Sequence, residues 1–202
     1  LSSAAIPSTV QGLIASRIDK LDETEKLFLQ YASVIGREFS TELLDIALGG
    51  RPELDFILNK LKRRELIHER HHDAERPSYI FKHALTQEVA YNSILKKKRR
   101  LYHERVALAI EHRLKQAEDS SPETSSSNEF VEMLAYHFAQ AEITSKAIHY
   151  LSLTGDKLKA SYNYVDAIKS YKAAIELIDA GLDISEEESK SILNLLYEVA
   201  YL

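Results

Sequence analysis

Cysteine and tryptophan are absent from this 202-residue sequence, methionine occurs once, and proline and glycine are scarce at four and six copies. Without cysteine there are no disulfides, no thiolate zinc sites and no thiol catalysis, and the redox compartment stays undecided. The six glycines (Gly12, Gly36, Gly49, Gly50, Gly155, Gly181) never approach the spacing of a phosphate-binding loop, and none precedes Lys-Ser or Lys-Thr. A nucleotide hydrolase site therefore cannot be completed within this chain. No apolar run approaches the length of a membrane span and no signal peptide opens the sequence, so the expected location is cytoplasmic with no membrane partner. The formal charge of −5 argues against a dedicated nucleic-acid binder, although a local basic patch is compatible with it. The chain begins at Leu1 and ends at Leu202 inside an apolar-periodic segment without a stop signal, which reads as part of a longer protein.

What is present is mostly helical periodicity. Pro7 and Ser8 open a helix in which Val10, Leu13, Ile14, Ile18 and Leu21 repeat at helical spacing. Asp22 caps a second helix, with Glu25 as its capping-box partner and Leu27, Phe28, Tyr31, Ala32 and Ile35 on one face up to Gly36. Ser40 starts a short third helix closed by Gly49-Gly50. Pro52 sits in the first turn of a fourth, whose Leu54, Ile57, Leu58 and Leu61 point inward. Residues 66–70 and 78–82 then alternate as two strands, joined by the polar stretch 71–77. Three helices followed by a hairpin is the layout of a winged helix with a long wing tip.

From Ala84 the apolar residues Leu85, Val89, Ala90, Tyr91, Ile94 and Leu95 spread round a helix, predicting burial on several sides. His83 stands at its start, where free N–H groups and the helix dipole suit an anion. A basic run, Lys96 to Arg100, follows, then a helix carrying Tyr102, Val106, Ala109, Ile110 and Leu114. Residues 118–128 hold no apolar side chain beyond the flanks and predict a mobile loop. Beyond Phe130 the chain reads as successive helices. Gly155, Ala167, Tyr171 and Ala174 fall where the 34-residue tetratricopeptide pattern places a glycine, a small residue, an aromatic and a small residue. The small residues let paired helices approach and the aromatic fills the space between them. Phe138 and Tyr171 are expected in the core. Residues 185–202 read as the first helix of a further pair. Such repeats present a concave surface to another protein, or serve as a spacer between neighbours.

The remaining chemistry is thin. His68, His71, His72 and Asp73 cluster at the hairpin but lack the fixed spacing that a zinc site uses. His103, His112, His137 and His149 fall on helices without a matching acid or serine. Lys60, Lys62, Arg63 and Arg64, with Lys96, Lys97, Lys98, Arg99 and Arg100, form a candidate basic contact surface, as DNA phosphates would require. Acidic residues Asp55, Glu65, Glu69, Asp73 and Glu75 lie among or beside them. A solvated face or a domain contact is the plainer reading.

Three stretches carry a family likeness. Residues 6–21 (IPSTVQGLIASRIDKL), 31–39 (YASVIGREF) and 81–91 (FKHALTQEVAY) resemble, in that order, the region that follows the ATPase core in bacterial signal-transduction ATPases with numerous domains. In that family the block follows an AAA-like ATPase, often with a class III adenylyl or guanylyl cyclase or a protein kinase domain, and precedes tetratricopeptide repeats. The resemblance implies that residues 1–21 are the last helix of the ATPase lid, 22–97 a winged helix, and 98–202 a helical extension becoming tetratricopeptide-like repeats. It implies a non-catalytic segment with no cofactor of its own, whose parent binds ATP or ADP. Its partners would be the adjacent ATPase and output domains, plus a protein bound on the repeats. In relatives a Met-His-Asp motif sets its His against the ADP phosphate; here Lys82, His83 and Ala84 stand at those places, so only the His is kept. His83 as a nucleotide-phosphate sensor and His83 as a buried brace for the hairpin are both open at this point. The alternative function is a winged-helix DNA-binding transcriptional regulator with a helical-repeat sensor domain.

Overall fold

The computed structural model describes residues 8–70, 77–120, 127–179 and Tyr197. Contacts divide the chain into two compact units, Leu1–Ala109 and Ile110–Leu202. The chain is mainly α-helical with one small antiparallel sheet.

The first unit opens with α1 (Ser8–Asp19) and α2 (Glu23–Ile35). Asp22 closes the expected capping box: its side chain accepts from Glu25 N at 2.8 Å, and Glu25 Oε2 accepts from Asp22 N at 3.1 Å. Two of the orphan N–H groups at a helix start are thereby satisfied. Then come β1 (Glu38–Ser40), α3 (Thr41–Leu48), α4 (Leu54–Arg63), β2 (Ile67–Arg70), β3 (Ser78–Phe81) and α5 (Ala84–Asn92). Ser40 caps α3 through Leu43 N, and Gly49 ends it at φ 83°, where a side chain would be strained. The sheet runs β1-β3-β2, with Phe39 opposite Tyr79 and Ile67 opposite Phe81. This helix–strand–helix–helix–hairpin order is a winged helix.

β1 is an addition to the expected hairpin. Three residues are too few to display a strand period, and Phe39 alone among them is buried, with ring centroids 6.0 Å from Tyr79 and 5.9 Å from Phe81. The hydrophobic centre is built from Phe28, Leu29, Leu44, Leu58, Leu61, Leu66, Ile67 and Phe81, each nearly or wholly excluded from solvent. Each such side chain contributes about 1.5–3 kcal/mol by burial. The tip at 71–76 lies outside the described residues, as do His71, His72 and Asp73.

Several boundaries differ from expectation. On α1, Ile14 and Ile18 are buried but Val10 and Leu13 are exposed, because only one flank of the helix meets a neighbour. Pro52 lies in the turn before α4, where Leu54 N donates to Arg51 O. α5 packs against α1, α2 and β3 as its apolar spread predicts: Thr86 and Ala90 are buried, Leu85, Val89 and Tyr91 are half-buried, and one face, Ala84, Glu88 and Asn92, is exposed. The basic run belongs to the helix that follows: α6 spans Lys96–Ser120 without a break at the basic residues. Of the loop expected at 118–128, residues 118–120 belong to α6 and 127–128 to α7, while 121–126 lie outside the described residues. Adding polar residues to an existing helix costs little once it is nucleated.

α6 crosses the division between the units at Ala109/Ile110, whereas the sequence reading separates them at 97/98. The second unit continues with α7 (Ser127–Gln140), α8 (Thr144–Ala160) and α9 (Tyr164–Asp179). The turns at 141–143 and 161–163 are short, which makes consecutive helices antiparallel neighbours. α8 packs on both α7 and α9. Ala167, Tyr171 and Ala174 are fully buried, with Ile148 beside them and Leu151, Leu158, Ile175 and Leu177 partly buried against the cluster. Phe138 is equally buried and stacks on Tyr150 at 5.6 Å. Phe138 and Tyr171 are thus both in the core, as the sequence predicts. The helix expected at 185–202 lies outside the described residues except for Tyr197.

Candidate functional site

The candidate basic residues separate into groups once their neighbours are known. Lys60 Nζ lies 2.9 Å from Asp22 Oδ2 and 3.1 Å from Glu25 Oε1, and Arg64 Nη2 lies 3.1 Å from Glu25 Oε2. Glu25 itself is fully buried. A buried carboxylate needs such partners, because an uncompensated charge away from water is costly. The hydrogen bond to Asp22, followed by that to Glu25, holds the Lys60 ammonium above its ordinary value. The backbone N–H of Glu25 and then Lys60 hold Asp22 below its own. Arg17 of α1 joins by donating to the Arg64 carbonyl at 2.6 Å. Lys62 meets Glu69 at 2.7 Å and is raised by that bond, and Lys82 meets Glu65 at 3.0 Å. Lys60 and Arg64 meet Glu25, which precedes them by 35 and 39 residues in another helix, whereas Lys62 meets Glu69 on β2, seven residues on. Arg63 is exposed.

Lys96, Lys97 and Lys98 are exposed in the first turn of α6, where the helix dipole disfavours cations. Arg99 folds back, its guanidinium 4.2 Å from the centre of the Tyr91 ring and donating to the Ile94 carbonyl at 3.2 Å. Arg100 is half-buried. Further along, Tyr102 stacks on Tyr31 at 4.1 Å, and Arg105 donates to the Tyr31 hydroxyl at 3.1 Å. His103 is fully buried, with Nε2 2.9 Å from the Tyr91 hydroxyl. Burial, then the Arg99 charge, lowers its pKa to about 4, so the imidazole is neutral at pH 7.

His83 is the N-cap residue of α5, in an extended conformation, and its side chain makes no capping hydrogen bond. The ring is exposed, which removes the buried-brace reading. His68 is exposed on β2. Among the described residues no group of three or more His, Asp or Glu is placed to hold a metal ion, and no helix is long and apolar enough to cross a membrane.

A recess lies in the second unit. A groove of about 750 Å³ runs between α7 and α9 with α8 as its floor. Its walls are Ala135, Tyr136 and Ala139 on one side and Ala173 and Leu177 on the other, over Leu151, Thr154 and Leu158. That volume is within the range of ligand and peptide sites. Tyr136 is 52% exposed, so its ring forms an open edge. Glu132, Asp166, Lys169 and Glu176 make the rim, where Lys169 pairs with Asp166 at 2.7 Å. Sequence reasoning expects a surface on these helices but does not name these residues, because the groove is made by three helices together. Two smaller grooves of about 420 Å³ lie in the first unit, one between α1 and α5 and one bordered by α2 and Lys98.

No model of a known protein family matches the chain, and a search of curated proteins finds no match either.

Proposed function

We propose that this chain is a non-catalytic regulatory segment of a multidomain signal-transduction ATPase, one linked to a nucleotide cyclase or kinase output. The winged helix contacts the ATPase, the helical repeats hold a protein partner, and the segment couples nucleotide state to that interaction. The reading is carried by the open groove of the second unit: an apolar floor with a charged rim suits a protein ligand better than a reaction centre. Regulation of this kind needs contacts that differ between two arrangements of the parent. His83 supports the nucleotide link, since an exposed imidazole at a helix start can reach a phosphate held by a neighbouring domain. ATP or ADP belongs to the parent, and its location is cytoplasmic.

The DNA-binding alternative is less well supported. Lys60 and Lys62 of α4, and Arg64 at its C-cap, are engaged by carboxylates, which leaves few cations on the helix that would enter a groove. The deciding experiment titrates the purified chain into the upstream ATPase region loaded with ADP or with a non-hydrolysable ATP analogue. An affinity difference of about fivefold or more between the two states is expected. Equal affinities, or salt-dependent binding to duplex DNA in place of either, would retire the coupling role.

A further inference from the structure

We infer that the α7–α8–α9 groove receives one amphipathic helix from a protein partner, with an apolar stripe on one face and lysine or arginine along its flanks. The inference rests on the regulatory reading above and names the partner class for that site. Three observations lead to it.

The first is the small-residue geometry of the walls. Ala135 and Ala139 on α7 stand four residues apart, as do Ala173 and Leu177 on α9, so each wall presents one row of the kind that packs against another helix. Between the rows, Leu151 and Leu158 of α8 are half-buried against the core below, with the groove above them. Alanines on the walls leave width for a backbone that carries its own large side chains.

The second concerns main-chain hydrogen bonds. Every wall and the floor is helical, so their backbone groups are already paired. Two of the groove's hydroxyls have already donated their protons: Thr154 to the Tyr150 carbonyl and Ser170 to the Asp166 carbonyl. An extended peptide lying there would find no sheet edge to pair with, and most N–H and C=O groups buried on the apolar floor would go unmet. A helix satisfies its own backbone and brings only side chains, anchored at i, i+3, i+4 and i+7.

The third is charge. Glu132 and Glu176 are exposed on opposite walls, and Asp166 adds a third carboxylate, against the single ammonium of Lys169. Three acids and one base leave the rim with a formal charge of −2. A helix flanked by Lys or Arg is attracted by that rim and an acidic one is repelled.

The test uses the full chain and labelled peptides of about 15 residues, read by fluorescence anisotropy. One carries Leu at i, i+3, i+4 and i+7 with Lys and Ala elsewhere; a second has the same composition shuffled to a period of two; a third has Glu in place of Lys. The ordered Lys peptide should bind about tenfold tighter than either of the others. Filling the slot with Ala139→Trp, or with Ala173→Phe, should cost about tenfold while far-UV circular dichroism stays unchanged. Glu132→Lys combined with Glu176→Lys should reverse the preference toward the Glu peptide. Equal binding of ordered and shuffled peptides, or unchanged binding by both filled variants, overturns the inference. So does self-association of the chain that the filled variants abolish, which would assign the groove to a second copy. Nucleotide-dependent binding to the ATPase region, measured on the same variants, separates the two readings. If it persists when the peptides fail, only the helix-in-groove inference falls.

Discussion

Gly155 and Tyr171 occupy one another's space to the limit that a backbone allows. A Cβ built on Gly155 would lie 2.6 Å from Tyr171 Cδ1 and 2.7 Å from Cζ, closer than carbon atoms pack. The ring is fully buried and its hydroxyl donates to Asp156 Oδ1 at 2.7 Å, so it is held from both ends and cannot swing aside. Gly155→Ala should therefore destabilise the second unit by about 1–3 kcal/mol, although alanine favours helix by about 1 kcal/mol. Urea denaturation of the whole chain checks it. Tyr171→Leu in the same background should recover part of the loss, and an additive double-mutant cycle would deny the contact.

Glu25 is a second point where one residue holds several elements. It closes the α2 capping box and meets Lys60 and Arg64, yet no part of it reaches solvent. Glu25→Ala keeps the Asp22 cap but removes the reciprocal half of the box, the acceptor for Asp22 N; Lys60 retains Asp22, and the partly exposed Arg64 head can return to water, which limits the damage. The expected loss is about 1–3 kcal/mol, read as a lower urea midpoint with an unchanged slope. A variant indistinguishable from the parent chain would mean that the network contributes nothing.

Much of this architecture was legible because it rests on local signals. The Asp22–Glu25 box, the Ser40 cap and the inward face Leu54, Ile57, Leu58 and Leu61 all depend on residues within one or two turns. The tetratricopeptide-like spacing of Gly155 and Tyr171 was legible for a different reason: the two lie on consecutive helices, but the repeat fixes their separation along the sequence. What escaped depends on neighbours distant in the chain. β1 exists because β3 offers it an edge, Lys60 turns inward because Glu25 is buried 35 residues earlier in a different helix, and the groove residues have no shared local pattern. His103 gave no cue beyond its helical position, yet it is buried against Tyr91.

Glycine scarcity leaves its own mark on the helix ends. Glu65, Glu142 and Tyr162 have φ of 56°, 60° and 61°, and the residue after each donates back across the turn, as Asn163 N does to the Leu158 carbonyl at 2.9 Å. This is the left-handed ending that glycine serves best. Tyr162 is 80% exposed, so its side chain returns little packing for the strained backbone. Tyr162→Gly should stabilise the chain by about 0.5–1 kcal/mol, the left-handed penalty less the extra freedom of an unfolded glycine. Differential scanning calorimetry would show a raised Tm; a lowered one would mean the tyrosine ring contributes to the fold.

Acid should loosen the first unit through His103. The imidazole titrates near 6.5 when unfolded and about 4 when folded, because burial and then Arg99 disfavour its charge. Between those values the unfolded chain binds the extra proton, so stability rises with pH across the window and falls as pH drops from 6.5 towards 4. The full difference, from 6.5 to about 4, amounts to roughly 3 kcal/mol. Chemical denaturation at intervals through that range should trace the decline, and His103→Gln, which keeps a polar group near the Tyr91 hydroxyl but cannot take a proton, should flatten it. An NMR titration places the same test on one nucleus: a His103 ring that protonates near pH 6.5 in the folded chain would show that the Tyr91 pocket does not exclude charge.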